Sequence, residues 1–491
     1  MNKQKRFLKL KKITMALLTA SMLSSSHFAW SDNELPNLGT AAASTLTIDQ
    51  ENELGDIYMR VQRASRPVVY DPLLNQYITE LGNKLVAHAQ DVKTPFKFFL
   101  IQNDEINAFA FFGGHVGIHT GLFLNANNES ELASVYAHEI AHVTQRHLAR
   151  AMEARARSNP AMIAGLLGSL LLTIAAPEAG MAALATTTGI ARQTQINYTR
   201  SNEQEADRIG MHTLVDSGFD PDGAYLFFNK LARKYQYATR LPEILQSHPL
   251  PKSRITEARN RAAKYPHRYI PASLEFQLAK ARVQVRFSDL SPSATLAMFN
   301  KQLKLKTFVL KDAALYGKAL ALFELDKIQQ SSAIIKQLLN HNPDNLFYID
   351  TKTDLLIKQK KYQQAITMLE AQYQDKPASQ VIAMNLAHAY IEAEKSDKAI
   401  PILQDAIFYE WDNMVAYQLL LDAYSKTDNP AMEHYIQAEI MALQANYDGA
   451  IDQLNYAHKN SQGDPLQLAR IEARIRQFRQ YEIEIKKLSK R

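Results

Sequence analysis

Two histidines and a glutamate stand at a spacing that could bind a metal ion. His138 and His142 are four residues apart, with Glu139 directly after the first, in the stretch "YAHEIAHVTQRH" from 136 to 147. Side chains four apart on a helix project from one face, so both imidazoles can reach one ion. Zinc lowers the pKa of a bound water to about 7, which allows a carboxylate such as Glu139 to act as its base. The pattern H-E-x-x-H is short and also occurs by chance, so a charged helix remains the alternative.

A third metal ligand must come from elsewhere in the chain. The longer motif with a glycine at 145 and a third histidine at 148 is excluded, because Gln145 and Leu148 occupy those positions. The other common source is a glutamate on a second helix. Glu203 and Asp207, four apart in "SNEQEADRIGMHTLVDSGFDP" from 201 to 221, offer this arrangement. Glu203 could bind the ion while Asp207 orients a ligating histidine; the alternative is a solvated acidic turn that complements the helix dipole.

Two further histidines could bind a metal by residue type. His147 is five residues after His142 and points away from the ligand face of a continuous helix. His115 follows a glycine pair, where a polar side chain needs no special cause. We predict structural or surface positions for both.

The elements that must carry these residues follow from apolar patterning. Asp71 and Pro72 suit the N-cap and first turn of a helix that places Leu74, Ile78, Leu81 and Leu85 on one face. One helix is predicted from near Asn128 or Ser130 through the histidine pair, and another carries the acidic pair and ends at Gly218.

A small antiparallel sheet is predicted before the histidine helix. The stretches "FKFFLIQ", 96 to 102, and "NAFAFFGGHVGIHTGL", 107 to 122, are rich in aromatic and β-branched residues, and Gly113 and Gly114 permit a tight hairpin. The edge strand of this sheet could bind an extended substrate through its backbone. Three aromatic residues, Phe109, Phe111 and Phe112, would then contact the substrate. The alternative is that they belong to the ordinary hydrophobic core.

The N-terminal residues indicate export. Residues 1–31 begin with six cationic residues, continue through an apolar stretch and end with Ala29 and Ser31, as in a secretory signal peptide cleaved after Ser31. A membrane anchor is the alternative, but the apolar run from 13 to 23 is about half the ~20 residues of a spanning helix. The six cations account for the whole formal charge of +6, so neither nucleic acid nor acidic lipid is implied as a partner.

Composition narrows the compartment and the chemistry. The chain has no cysteine, which excludes disulfides, thiolate ligands and a lipid-modified N-terminal cysteine; periplasmic localisation fits this. No phosphate-binding loop of the type G-x-x-x-x-G-K-[ST] is present, so we expect no need for ATP. The apolar stretch from 161 to 191 is interrupted at Pro177 and is either a membrane-contacting lid or, as we favour, a helical hairpin packed over the site.

A 34-residue repeat runs through the second half of the chain. At this spacing Ile335, Leu369 and Leu403 coincide, and Ala365 meets Ala399. The period is that of tetratricopeptide repeats, whose paired helices stack into a solenoid with a concave surface. The clearest units are 362–377 and 396–413, and 447–460 follows after a stretch that looks irregular.

A chain of 491 residues exceeds a single core, so several domains are expected. With a linker at "KYPHRYIPAS", 264 to 273, we predict a signal peptide at 1–31, a peptidase domain at 32–270 and a repeat domain at 271–491. The predicted fold is mainly α: a zincin-like α+β domain with a small β-sheet, followed by an all-α tetratricopeptide-repeat solenoid.

The motifs together resemble the M48 metallopeptidases. The resemblance is carried by "HEIAH" at 138, "EQEADR" at 203 and "HPLPKSRI" at 248, and by the order of signal peptide, catalytic domain and helical repeats. It implies that His138, His142 and Glu203 bind one zinc ion and that Glu139 is the general base. It also implies an acid beside the ligands at Asp207.

Two further residues enter through the resemblance. His248 matches the family's His-Pro position, and Arg254 matches the arginine that follows, a residue that supports the ligands or the transition state. A histidine beside zinc can stabilise the oxyanion or can occupy the open coordination position and hold the enzyme latent. The sequence does not choose between these roles.

The resemblance also implies a biological role. It predicts a periplasmic zinc endopeptidase that degrades misassembled outer-membrane β-barrel proteins and assists their assembly, with the repeats contacting the β-barrel assembly machinery. The alternative is a non-proteolytic chaperone or scaffold that acts through the repeats. An intact Glu139 favours the enzyme, since a structural zinc site needs no base.

Overall fold

In a computed structural model of the chain, the structure describes residues 46–158, 200–239, 241–266, 269–461 and 463–488. The predicted signal peptide, 1–31, and the apolar stretch 161–191 lie outside the described residues. Within the described ranges, no helix has both the length and the apolar character that crossing a membrane requires.

The N-terminal part combines nine helices of the described residues with three strands. In chain order they are α1 Ile48–Ser65, α2 Pro72–Val86, β1 Lys97–Ile101, β2 Ala108–Phe111, β3 His115–His119, α3 Thr120–Asn125, α4 Glu129–Thr144, α5 His147–Ser158, α6 Arg200–Asp216, α7 Asp222–Tyr235, α8 Glu243–Ser247 and α9 Lys252–Ala262. The predicted start of α2 is confirmed, because the Asp71 side chain accepts a hydrogen bond from the Leu74 amide.

The sheet has the strand order β1-β3-β2 and differs in part from the prediction. β2 and β3 are antiparallel across a turn in which Gly113 and Gly114 adopt φ angles of 69° and 73°. β1 pairs with the other edge of β3 and runs parallel to it, so the prediction of an all-antiparallel sheet is wrong. The reason is that the chain between β1 and β2 crosses over, which makes β3 the central strand, and β3 is buried along its whole length.

Two helices meet closely behind the sheet. α4 starts at the N-cap Asn128, whose side chain accepts a hydrogen bond from the Glu131 amide. α6 packs against α4 at Gly210, where an added Cβ would lie 3.0 Å from the Ala137 carbonyl oxygen and 3.1 Å from the His138 amide nitrogen. Glycine therefore permits the approach that brings the acidic pair of α6 to the histidines of α4.

The C-terminal part consists of helices throughout its described residues. They are α10 Leu274–Arg286, α11 Pro292–Leu305, α12 Lys311–Glu324, α13 Ile328–His341, α14 Leu346–Lys358, α15 Tyr362–Asp375, α16 Gln380–Glu392, α17 Ser396–Tyr409, α18 Met414–Lys426, α19 Pro430–Leu443, α20 Tyr447–Asn460 and α21 Pro465–Leu488. Helices α13, α15, α17 and α19 begin 34 residues apart, so the segment between 413 and 447 is regular, contrary to the prediction.

A single turn conformation recurs with the same period. Asp326, Lys360, Glu394 and Asp428 all have φ angles between 52° and 59°, each just after a helix of the array. None of them is glycine, so the turn was not visible as a helix-stop signal in the sequence.

An apolar core is continuous between the two parts. One cluster of buried side chains extends from Val69 to Val381 and so crosses the linker predicted at 264–273. A buried ionic junction lies in the same region: Arg282 of α10 donates to Asp71 at 2.7 Å and to Asp350 of α14 at 2.7 Å. Apolar and ionic contacts therefore join the N-terminal part to the C-terminal part.

Candidate metal centre

Three predicted ligands lie together in a buried cluster. Nε2 of His138 and Nε2 of His142 are 2.9 Å apart. Glu203 lies 3.4 Å from the first of these nitrogens through Oε2 and 3.5 Å from the second through Oε1. The distant motifs on α4 and α6 thus meet at one point.

His248 adds a fourth donor to the cluster. It directly follows α8, and its Nδ1 is 3.1 Å from Oε1 of Glu203 and 3.4 Å from Nε2 of His138. All four donor atoms lie within 4.8 Å of one another. Ligands at about 2.0–2.2 Å from a tetrahedral ion are separated by roughly 3.3–3.5 Å, so the nitrogen and carboxylate donors present fit an ion such as zinc.

Asp207 and Arg254 support the cluster from behind. Arg254 is almost completely buried and donates to both carboxylate oxygens of Asp207 at 2.7 Å. Its Nη1 also lies 2.6 Å from Oε2 of Glu203. Asp207 Oδ1 in turn lies 3.0 Å from Nδ1 of His138. Arg254 therefore holds two acidic side chains in fixed positions.

Glu139 lies beside the cluster and is itself buried. Its carboxylate is 1% exposed, and Oε1 is 3.7 Å from Nε2 of His248. Oε2 is buried without a hydrogen-bond partner among the described residues. A buried carboxylate oxygen with an unused lone pair is suited to accept a proton from a water molecule in the cluster.

The charges of the cluster shift the pKa values of its members in different directions. Burial disfavours the charged form of His138, but Asp207 and Glu203 outweigh it and raise the pKa of His138 to about 10. Burial, followed by repulsion from His138 and His248, lowers the pKa of His142 well below its usual value. Burial would raise the pKa of Glu203, but His248 and His138 hold it below its usual range. The two carboxylates thus favour positive charge at this point of the cluster.

His147 is closer to the centre than predicted. It is completely buried, with Nδ1 2.8 Å from Nδ1 of His142 and Nε2 3.0 Å from Oε2 of Glu205. The prediction assumed a continuous helix, but α4 ends at Thr144, and Arg146 has a φ of 51° before α5 begins. This break turns His147 back towards His142. Of the two predicted positions, the structural one agrees with this burial and the surface one is wrong. Only the left-handed residue, which no sequence pattern indicates, would have revealed the contact with His142.

The remaining predicted residues belong to the sheet or, for Phe112, to the turn between β2 and β3. His115 is buried, donates through Nδ1 to the Phe112 carbonyl oxygen at 3.0 Å and stacks on Phe111, so it has a structural position. Phe111 packs in a cluster with Phe99, while Phe109 and Phe112 are half-buried. β2 forms one edge of the described sheet and lies beside α4, where a substrate strand could pair with it.

An apolar pocket opens beside the cluster, next to His138, Glu139 and His248. Helices α4, α6, α7, α8 and α9 contribute its walls. Its apolar lining includes Met211, Leu214, Phe227, Leu231 and Leu245. A pocket of this composition next to the candidate base can receive an apolar side chain.

Comparison with known proteins links both parts of the chain to described families. The profile described as "Peptidase family M48" matches residues 72–262, and the profile described as "Tetratricopeptide repeat" matches 356–424. A protein of Vibrio cholerae serotype O1 named "Putative beta-barrel assembly-enhancing protease" is 48% identical over 91% of this chain and 92% of its own length. Proteins named "Beta-barrel assembly-enhancing protease" are 44% identical in Escherichia coli K12, over 99% of this chain and 100% of theirs, and 42% identical in Yersinia pestis, over 93% and 94%.

Proposed function

We propose, from the premise that this chain belongs to the β-barrel assembly-enhancing proteases of peptidase family M48, that it is a periplasmic zinc endopeptidase. It is a metalloprotease, and its substrates in this proposal are misassembled outer-membrane β-barrel proteins. The observation that carries the proposal is the convergence of His138, His142 and Glu203 on one point, with Glu139 alongside. Three protein ligands with a general base distinguish a catalytic zinc site from a structural one.

The residues divide the chemical work among themselves. A bound zinc ion, one per chain, would supply Lewis-acid polarisation of the scissile carbonyl and a lower pKa for its water. Glu139 takes the proton of the attacking water through its unpartnered Oε2 and passes it to the leaving amine. Asp207 holds His138 through Nδ1, and Arg254 positions Asp207 and Glu203.

His248 occupies the position of a fourth ligand in this proposal. Its Nδ1 lies among the other three donors, whereas oxyanion stabilisation would require it to stand beside them. This geometry supports the latent role, in which His248 leaves before substrate binds. Replacement by alanine should then raise peptidase activity, and a fall in activity would favour the oxyanion role.

Substrate and partner surfaces lie in different parts of the chain. We place substrate at the edge of β2, where Phe109 is half-buried, with one apolar side chain in the pocket beside Glu139. The repeats present Phe408 and Tyr409 at 82% and 80% exposure, and such aromatic groups are typical of protein contacts. They support docking of the β-barrel assembly machinery or of unfolded β-barrel chains.

A second function deserves its own test because one observation favours it. Nδ1 of His248 lies with the other three donors, which supports a site closed to substrate, as expected of a latent site in a chaperone or scaffold. The two functions separate at Glu139, since a scaffold does not require a general base. Cellular function that survives Glu139→Gln in full would favour the scaffold.

The experiment that tests the enzyme is elemental analysis of the mature protein purified without added metal. We expect about one zinc per chain in the wild type, as for a three-ligand catalytic site, and a marked loss in Glu203→Ala. Glu257→Ala is the matched control, because this carboxylate on neighbouring α9 is 38% exposed and outside the cluster. Full zinc in Glu203→Ala, or none in the wild type, would exclude the proposed site.

A further inference from the structure

The Nδ1 atoms of His138 and His142 face different kinds of side chain. His138 faces a carboxylate directly, since its Nδ1 is 3.0 Å from Asp207. His142 faces another histidine: its Nδ1 is 2.8 Å from Nδ1 of His147. The carboxylate comes one step later, at Glu205, whose Oε2 is 3.0 Å from Nε2 of His147.

The donor and acceptor of each hydrogen bond between His142, His147 and Glu205 follow from the position of the metal cluster. Nε2 of His142 is one of the converging donors, 3.5 Å from Glu203, and a nitrogen that binds a metal carries no proton. The proton of neutral His142 is then on Nδ1, which donates to Nδ1 of His147. His147 in turn carries its proton on Nε2 and donates it to Glu205. Each ring therefore has one defined tautomer.

The last member of this hydrogen-bond series, Glu205, is held by an ion pair. Arg150 of α5 approaches Oε2 of Glu205 to 3.0 Å through Nη1. A carboxylate paired with a guanidinium accepts hydrogen bonds, so Glu205 can accept one from Nε2 of His147. Glu205 lies between Glu203 and Asp207 on α6, and the same helix therefore supplies a ligand, a partner for His138 and the anchor of this relay.

We infer that His147 and Glu205 are positioning residues, which fix the tautomer and ring orientation of His142 through a histidine-to-carboxylate relay. This inference rests on the proposed zinc peptidase function. The left-handed turn at Arg146 builds the relay, because it ends α4 and returns His147 to the ligand that it supports. His147 acts on the metal only through His142, and it contacts neither substrate nor ion.

The test measures zinc affinity of the full mature chain by competition with a chromogenic chelator. His147→Leu removes the acceptor, and outer partners of ligating histidines typically contribute about 10- to 100-fold in metal affinity, so a loss of this size is expected. His147→Asn can place an amide oxygen near the position of Nδ1, and affinity should return to within about 3-fold of wild type. Glu205→Ala, at a side chain 28% exposed, should weaken affinity less and disturb packing less than a change at His147.

His119→Leu is the control for burial, because His119 is also completely buried but belongs to the sheet and contacts no ligand in the described structure. Its zinc affinity should equal that of the wild type. At saturating zinc, His147→Leu should lower kcat with little change in KM, since substrate contacts are untouched.

Equal losses in His147→Leu and His147→Asn would assign the effect to packing and overturn the relay. Wild-type affinity in both His147→Leu and Glu205→Ala would overturn it as well. Both outcomes differ from failure of the proposed function, in which the wild type binds no zinc or Glu203→Ala retains it fully.

Discussion

The metal centre and the repeat array bury their side chains in opposite ways. At the centre, titratable residues are buried together and contact specific polar groups, as Asp207 contacts Arg254. In the array, equivalent positions of successive repeats bury apolar residues of similar size, such as Leu369 and Leu403, both completely buried. Function at the centre therefore depends on single atoms, whereas stability of the array is distributed over many similar contacts.

The largest effect should come from Glu139, the residue that we propose transfers the proton. Glu139→Gln keeps the size of the side chain and removes its basicity, so the cleavage rate of an unfolded protein substrate should fall by about 10²- to 10⁴-fold. Zinc content and thermal unfolding should remain as in the wild type, because Glu139 is not among the converging donors. Undiminished cleavage would show that Glu139 is not the general base.

The sequence predicted the centre better than its surroundings, for a physical reason. Helical spacing places His138 and His142 on one face from local geometry alone, and the same holds for Glu203 and Asp207. The fourth donor, His248, stands in a loop, where no periodicity applies, and only the family resemblance indicated it.

The errors share a cause. His147 and the direction of β1 both depended on how the chain changes direction between elements. Such changes are made by non-glycine residues in left-handed conformations and by crossing connections, which apolar patterns do not encode. The domain boundary at residue 270 remains a prediction, although the apolar core continues across it.

The ionic junction at Arg282 should depend on specific polar contacts, as the metal centre does, although it lies beside the repeat array. Arg282→Met leaves Asp71 and Asp350 buried without their cation, and this should cost about 4 kcal/mol of unfolding free energy. Urea unfolding of the mature protein measures the loss. Adding Asp71→Asn and Asp350→Asn removes the two unpaired charges and should recover part of the lost stability. Asparagine at 71 can also cap α2 as aspartate does. No recovery would show that packing of the arginine stem, and not charge, dominates the junction.

An apolar truncation inside the array should have a smaller effect that does not reach the centre. Leu403→Ala removes a completely buried side chain of α17 and should destabilise the protein by about 3 kcal/mol. Zinc content and cleavage of a small peptide below the unfolding transition should remain unchanged. Asp405→Ala, exposed on the same helix, is the control and should stay within about 0.5 kcal/mol. Lost zinc in Leu403→Ala would show that the two regions are coupled.

The smallest effect should be a gain in stability at the recurring turn of the array. Lys360 adopts a φ of 58°, which a side chain with a Cβ disfavours and glycine accepts. Lys360→Gly should therefore stabilise the protein by about 0.5–1 kcal/mol, the strain released exceeding the added freedom of the unfolded chain. Lys358→Gly is a control of the same residue type two positions earlier, in the last turn of α14, where glycine should destabilise by a similar amount. The opposite signs test the conformation itself, because both lysines are exposed and both substitutions remove the same side chain. If both variants are destabilised, the turn is held by contacts of Lys360, and the array would then depend on individual side chains as the metal centre does.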